Sequence, residues 1–314
     1  MSNTQPTSQN LSDSRDCPDT PDQPVLERIA TRDGQIGTGL MIRRALPNPQ
    51  RRMIGAWCFL DHFGPLSVSP GGGMHVGPHP HIGLQTFSYL LEGELLHRDS
   101  LGSEQRIVPG QVNLMTAGRG ISHSEHTPRD FGGALHGVQL WIALPEAQRH
   151  CAPSFQHIAE PPHWQDGSWA LTLLAGESAG RHSDADTHSP LLAMALRTEG
   201  IAELRLPLNP RFEHGLLVLD GRILVDGEVL APGSLLALDC GLADLQLQST
   251  QSASVLLIGG APFEEEIRMW WNFVARSPDE MVRATDDWNA GRGFGELRDD
   301  AAEPIPAPVT PWHR

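Results

Sequence analysis

The sequence predicts an all-β protein with two β-barrels in tandem and a short helix near the C-terminus. The chain of 314 residues contains 32 glycines and 26 prolines. This high content of turn-forming residues is typical of proteins built from many short strands. A weak internal repeat supports two barrels of one kind. The turn at Glu92-Gly93 corresponds to the turn at Asp220-Gly221, and Pro109-Gly110 corresponds to Pro232-Gly233. The length also exceeds what one hydrophobic core usually spans.

Composition along the chain predicts the domain organisation. The first residues are polar, contain prolines and offer too little apolar surface to offset the entropy of ordering. Loose, glycine- and histidine-bearing sequence separates the two barrel segments. The predicted division is a disordered tail at 1–24, a metal-binding barrel at 25–150, a linker or edge segment at 151–189, a second barrel without metal at 190–275, and a helix with an extended tail at 276–314.

The helix is predicted from its end signals. Ser277 is a favoured N-cap, Pro278 suits the first helical position, acidic residues follow in the first turn, and Gly291 stands beyond the end. The proline-rich end of the chain should run extended over the surface.

Charge and cysteine content exclude several classes of function. The net charge of −15 disfavours direct binding to nucleic acid or to an anionic membrane. All basic residues are arginine, which excludes Schiff-base lysines and phosphate-loop lysines. No stretch resembles a signal peptide or a membrane span, so we expect a cytoplasmic protein. The scattered cysteines read as free thiols: Cys17, Cys58, Cys151 and Cys240.

Two short clusters predict a metal site. His79 and His81 are two residues apart, as are His123 and Glu125. Side chains two apart on a strand share a face, so neighbouring strands would bring three imidazoles and a carboxylate together. Such a set suits one divalent transition metal and leaves positions open for substrate, water or O₂. Glycines before His79 allow the backbone to turn close to the ion.

The other histidines are interpreted more conservatively. His62 is expected to be buried and hydrogen-bonded to backbone, and His75 to lie on the pocket rim. His97 is expected to be solvated or ion-paired near a turn. The second barrel has the isolated His214, and without paired donors it should hold no metal. Four histidines are expected to face solvent: His157, His163, His182 and His188.

Several longer motifs resemble the pirin family of the cupin superfamily, whose fold is two tandem jelly-roll-like cupin barrels. The motifs in the first half are FLDHFGP (59–65), PHPHIG (78–83), TFSYLLEGELLHRDSLG (86–102), PGQVNLMTAGRGISHSE (109–125) and QLWIALP (139–145). Those in the second half, PFEEEIRMWWNFVARSPDEM (262–281) and DWNAGRGFGEL (287–297), resemble one bacterial subgroup.

Two positions depart from the family pattern. Gln111 replaces the aspartate of a Pro-Gly-Asp turn, where we expect tolerance. Gln85 stands where general cupins carry a glutamate ligand. The resemblance implies that pirins take the carboxylate from His-x-Glu instead, here Glu125, while Gln85 tunes the surroundings of the metal.

The resemblance also implies cofactor, substrate and partners. Fe(II) is the expected metal, with Mn, Co, Ni, Cu or Zn as alternatives. Some pirins resemble flavonol dioxygenases that open a quercetin-type ring with O₂, with Glu125 as metal ligand and as the base that accepts the substrate proton. Others resemble metal-dependent co-regulators of transcription, or bind metabolic enzymes. A metal-stabilised fold with little activity is a third alternative. We expect a monomer acting on a flavonoid-like aromatic, with a protein partner in the regulatory alternative.

Overall fold

The computed structural model describes residues 11–13, 26–37, 39–298 and 300–313. The strands up to the middle of the chain are β1 Leu11–Asp13, β2 Leu26–Ala30, β3 Arg32–Ile36, β4 Leu40–Leu46, β5 Trp57–Val68, β6 His75–His81, β7 Leu84–Glu92, β8 Leu95–Asp99, β9 Glu104–Ile107, β10 Val112–Thr116, β11 Ile121–His126, β12 Gly133–Ala143 and β13 Ser154–Ile158. The later strands are β14 His163–Asp166, β15 Trp169–Ala175, β16 Glu177–Ser178, β17 Arg181–His182, β18 Leu191–Pro207, β19 Glu213–Gly221, β20 Ile223–Val225, β21 Glu228–Leu230, β22 Ser234–Leu238, β23 Asp244–Gly260, β24 Arg268–Trp270 and β25 Phe273–Ala275. Helix α1 spans Pro278–Asn289.

Two sheets form the first barrel. A seven-stranded sheet has the order β13-β10-β7-β12-β5-β4-β3, and a four-stranded sheet has the order β6-β11-β8-β9. Strand β12 shows how the larger sheet divides its faces, because side chains alternate along a strand. Gln139 and Trp141 line an internal cavity of this barrel. Val138, Leu140 and Ile142 belong instead to a core that the second domain shares.

The second barrel is built on a nine-stranded sheet in the order β14-β15-β18-β23-β19-β22-β2, with β20 and β21 beside it. Its centre is the long antiparallel pair β18 and β23, which is in register from Leu191–Gly260 to Pro207–Asp244. Leu217 and Leu256 of this sheet pack in one hydrophobic core with Phe87 of the first barrel. The predicted all-β fold with two tandem cupin barrels and a C-terminal helix is confirmed.

Strand pairing differs in detail from the predicted division of the chain. Strand β2 lies within the segment assigned to the first barrel, but it pairs with β22 at the edge of the second sheet. The predicted linker carries β13, which joins the first sheet, and β14 and β15, which join the second. In the predicted disordered tail, Leu11–Asp13 pair with β24. The rest of that tail lies outside the described residues.

The helix begins and ends as predicted. The Ser277 hydroxyl accepts from the Glu280 backbone N–H, and the Glu280 side chain accepts from the Ser277 N–H, which forms a capping box. The chain beyond the helix is more firmly packed than an extended surface tail. Trp288 Nε1 donates to the carbonyl of Ile305 at 2.8 Å, and Ala307 and Thr310 are buried. No described helix is long and apolar enough to cross a membrane. Cys58, Cys151 and Cys240 are free, and Cys17 lies outside the described residues.

His62 is buried, as predicted, but its partner is a side chain. Its Nε2 lies 2.8 Å from Nε2 of His136. Burial, helped by the charge of Arg43, lowers the pKa of His62 to about 3. The unfolded chain takes up this proton below about pH 6.5, whereas the native state does so only near its own pKa. The stability that neutral His62 contributes is therefore complete above pH 6.5 and is lost as the pH falls towards 3.

We expect His62→Gln to weaken the acid sensitivity of the fold. Between pH 7 and pH 4.5 the His62 contribution to the free energy of unfolding falls by about 3 kcal/mol, and the variant lacks this loss. Urea unfolding at the two pH values measures it. The exposed His182→Gln is the control and should retain the wild-type difference. An unchanged difference in His62→Gln would contradict the assignment.

Candidate metal centre

The backbone of β6 and β11 positions the two predicted clusters. The strands are antiparallel, and His79 lies opposite His123. The register then shifts, because Glu125 lies opposite Val76 and two residues of β6, Gly77 and Pro78, face a single residue of β11. Such a bulge re-aims the side chains that precede it. The same-face spacing of the histidines was predicted, and the bulge was not.

Three imidazoles meet inside the barrel. His79, His81 and His123 are buried, and one nitrogen of each lies within 4.8 Å of the others. Nε2 of His81 is 3.0 Å from Nε2 of His123. Two nitrogens bound at right angles to one ion, each about 2.1 Å from it, are about 3.0 Å apart. The spacing therefore fits adjacent ligands of a six-coordinate metal.

Backbone carbonyls fix two of these rings. Nδ1 of His79 donates to the carbonyl of Gly77, and Nδ1 of His81 donates to the carbonyl of Asn272, both at 2.9 Å. A carbonyl only accepts, so Nδ1 carries the proton and Nε2 of each ring keeps its lone pair for a metal. Asn272 comes from the turn between β24 and β25, so the second half of the chain helps to shape the centre.

Burial keeps the three imidazoles neutral. It lowers the pKa of His79 to about 3, and it lowers the pKa of His81 and of His123 well below the ordinary value, with further lowering from the neighbouring histidines. Metal binding requires the neutral form of imidazole. The rings are therefore in the ligand form throughout the neutral pH range.

Glu125 lies beside this triad. One of its oxygens lies within 4.8 Å of ligand nitrogens of His97 and His123, which makes a second group of donors that shares His123. Nε2 of Gln139 donates to both carboxylate oxygens, at 2.9 and 3.2 Å, and the hydroxyl of Ser88 donates at 3.4 Å. The sequence did not indicate Gln139, although its place on an alternating strand puts it on the cavity face.

A small cavity opens on the histidines. Its volume is about 30 Å³. Phe59 and Trp141 stack with ring centroids 4.2 Å apart in its wall, and Asp61 is held there by two hydrogen bonds from Arg44, at 2.8 and 2.7 Å. The lining residues are Ile36, Phe59, Asp61, Val76, His79, His81, Glu125, Gln139 and Trp141. The centre thus combines nitrogen donors, a carboxylate and an aromatic wall.

Two expectations for residues around the site were wrong. His75 is not on the rim, because Nε2 contacts the carbonyls of Gly71 and Gly72 and the side chain lines a groove elsewhere. Gln85 does not face the histidines. Its amide donates to Thr116 Oγ1 and to the carbonyl of Asp186, beside the core shared by the two domains. The extra residue of the bulge turns His75 to the face opposite the histidine triad. Strand alternation places Gln85 on the face of β7 that points away from the triad.

His97 is buried rather than solvated, and it contacts a carboxylate. Its Nε2 lies 3.1 Å from Oδ2 of Asp99, and its Nδ1 lies 3.3 Å from Nδ1 of His123. Burial acts to raise the pKa of Asp99, but hydrogen bonds from His97 and Ser103 outweigh it and the pKa is lowered.

Histidines outside the first barrel's centre have mixed environments. His163 and His182 are exposed as predicted, His188 is half-buried, and His157 is half-buried with Nδ1 2.7 Å from Oδ1 of Asn113. His214 is buried in the second sheet, and the expectation that this barrel holds no metal stays a prediction.

Comparison with known proteins decides the family. The family model "Pirin" matches residues 39–142, and "Pirin C-terminal cupin domain" matches residues 193–295. The chain belongs to the pirin family. This pirin is 51% identical to "Putative quercetin 2,3-dioxygenase PA1205" of Pseudomonas aeruginosa over 99% of this chain and 98% of the relative. It is 39% identical to a "Pirin-like protein" of Caulobacter vibrioides over 85% of this chain and 94% of the relative.

A solved structure extends the comparison to the fold. The crystal structure of "Quercetin 2,3-dioxygenase from Acinetobacter baumannii" superposes with a TM-score of 0.89 at 45% identity, over 92% of this chain and 97% of that chain. Together with the buried histidine triad, these relatives suggest that this pirin holds a metal ion. The residues present fit such an ion, since their free nitrogens converge at ligand spacing.

Proposed function

We propose that this pirin is a metal-dependent flavonol 2,3-dioxygenase of the quercetin type. One Fe(II) would be held by His79, His81, His123 and Glu125. The observation that carries the proposal is the convergence of three neutral imidazoles beside a buried carboxylate, in a cavity walled by stacked aromatic rings. The 45% identical structure of the Acinetobacter baumannii quercetin 2,3-dioxygenase supports the same substrate class.

The residues of the cavity have different roles in the proposed reaction. When bound, the metal supplies a Lewis acid for the flavonol hydroxyl and redox chemistry with O₂. Glu125 accepts the proton of that hydroxyl, because it presents a carboxylate next to the triad. Gln139 and Ser88 orient this carboxylate through their hydrogen bonds. Phe59 and Trp141 stack on each other in the cavity wall and keep water away, and Arg44 lies over the Phe59 ring at 4.6 Å.

The size of the cavity sets a condition on catalysis. At about 30 Å³ it is far below the roughly 300–1,000 Å³ of typical ligand pockets, so a flavonol does not fit the conformation described. Ile36, at the end of β3, belongs to the cavity wall. Strand β3 is the edge of its sheet and pairs with β4. We therefore propose that the β3–β4 hairpin moves aside to admit substrate.

The same small cavity favours a second candidate, a metal-dependent regulator that binds a protein partner without catalysis. Such a protein needs the metal centre but no room for an organic substrate. In either role we propose a cytoplasmic monomer. The net charge of −15 supports the absence of direct contact with nucleic acid or an anionic membrane.

Oxygen uptake distinguishes the two candidates. Purified protein, stripped and reconstituted with Fe(II), is expected to consume O₂ when quercetin is added, in proportion to bound metal. His75→Ala should behave as wild type, since His75 faces away from the centre. If fully metallated wild type consumes no O₂ with a panel of flavonols, the dioxygenase proposal fails and the regulator remains.

A further inference from the structure

Asp99 and His97 form a buried chain of hydrogen bonds that ends on His123. Both side chains lie on β8, two residues apart, and both face the barrel interior. Nε2 of His97 is 3.1 Å from Oδ2 of Asp99. Nδ1 of His97 is 3.3 Å from Nδ1 of His123. The His97 ring also stacks on Phe155, with centroids 4.4 Å apart, so its orientation is fixed.

The direction of these hydrogen bonds follows from Asp99. Its Oδ1 accepts from the backbone N–H groups of Leu101 and Ser103, at 2.9 and 3.1 Å, which turns Oδ2 towards His97. A carboxylate only accepts, so His97 must carry its proton on Nε2. In the tautomer with its proton on Nε2, Nδ1 of His97 carries a lone pair and accepts a hydrogen bond.

The proton of His123 can sit on either ring nitrogen, unlike the protons of His79 and His81. Carbonyls assign the protons of His79 and His81, whereas both nitrogens of His123 face other imidazoles. A neutral ring has one proton to give, either from Nε2 to His81 or from Nδ1 to His97. A proton on Nε2 would occupy the place of the metal.

We propose that Asp99 and His97 are positioning residues that hold His123 with its proton on Nδ1 and so keep Nε2 free for the metal. This inference rests on the proposed metal site, and it assigns a role to two residues outside the ligand set. A ring's second nitrogen commonly decides in this way which nitrogen binds a metal.

Asp99→Asn should reverse the direction of the hydrogen bonds from residue 99 through His97 to His123 while leaving the side chains in place. The amide oxygen must stay opposite the N–H groups of Leu101 and Ser103, because an NH₂ group there would meet two donors. The NH₂ group then faces Nε2 of His97, which has to accept. The proton of His97 moves to Nδ1 and points at His123, whose own proton is forced onto Nε2.

The test measures the tautomers of His97 and His123 separately from the affinity for metal. In ¹⁵N–¹H correlation spectra of metal-free wild type at neutral pH, His97 is expected as the Nε2–H tautomer and His123 as the Nδ1–H tautomer. In Asp99→Asn both should switch. Affinity for Co(II), measured by competition with a chelator, should fall about 10–100-fold, the usual effect of removing such a partner.

Asp239→Asn is the matched control. It also replaces a buried aspartate, one that pairs with Arg51 at 2.6 Å, but lies in the second barrel. It should keep both the tautomers and the Co(II) affinity. An Nδ1–H tautomer of His97 in wild type overturns the inference, even if Asp99→Asn does not fold. Equal Co(II) affinity in wild type and Asp99→Asn also overturns it. Wild type that binds no metal would instead remove the metal site on which the inference rests.

Discussion

His81→Ala is expected to purify with almost no bound metal and to bind added metal at least about 100-fold more weakly than wild type. Removing a partner outside the ligand set costs about 10–100-fold, and loss of a ligand should cost more. The change removes the nitrogen that lies 3.0 Å from His123 and leaves the carbonyl of Asn272 without its donor. Two imidazoles and Glu125 remain, and such a set binds Fe(II) in other proteins, so we attribute the expected loss of affinity to the missing nitrogen and not to an unsuitable remaining set.

The control for this variant is His75→Ala, which removes a histidine from the same strand but from the opposite face. Mass spectrometric metal analysis and a chelator competition give stoichiometry and affinity for all three proteins. We expect one metal per chain in wild type and in His75→Ala. Unchanged stoichiometry in His81→Ala would contradict the ligand assignment, and loss of metal in both variants would point to general damage of β6.

The sequence predicts the site residues best where the alternation of side chains along a strand is enough to place them. His79 with His81 and His123 with Glu125 were placed on one face by their spacing, and the structure brings the three histidines together beside Glu125. The same rule would have found His97 and Asp99, which are also two residues apart on a buried strand. It was not conclusive there, because Arg98 and the following turn equally suit an exposed segment.

Other features depend on contacts between distant segments. The bulge at Gly77 and Pro78 is defined by the register with β11, and a change of one residue there exchanges the faces of His75 and Val76. Strand β2 pairs with β22, more than 200 residues further along, and nothing local to Leu26–Ala30 specifies that partner. The Asn272 carbonyl behind His81 depends on the packing of both halves.

Glu125→Gln is expected to lower flavonol turnover per bound metal by about 10²–10⁴-fold, the usual effect of losing a general base. The amide keeps a carbonyl oxygen near the metal but cannot take the substrate proton. Gln139 now donates to both carboxylate oxygens, and in the variant it must turn its own carbonyl towards the new NH₂ group. We therefore expect weaker metal binding as well, which makes turnover per metal the quantity to compare.

Glu125→Asp separates the base from the ligand. It keeps a carboxylate but shortens its reach, so metal binding should weaken while the metal that does bind still supports measurable turnover. Turnover of quercetin under saturating O₂, divided by metal content, should rank wild type first, Glu125→Asp second and Glu125→Gln last. Equal turnover per metal in wild type and Glu125→Gln would remove the base from the mechanism. We propose that the cavity admits substrate only after the β3–β4 hairpin moves, and a slow opening step would make the three turnover rates more similar. Single-turnover measurements with substrate already bound therefore decide whether Glu125 acts on the proton.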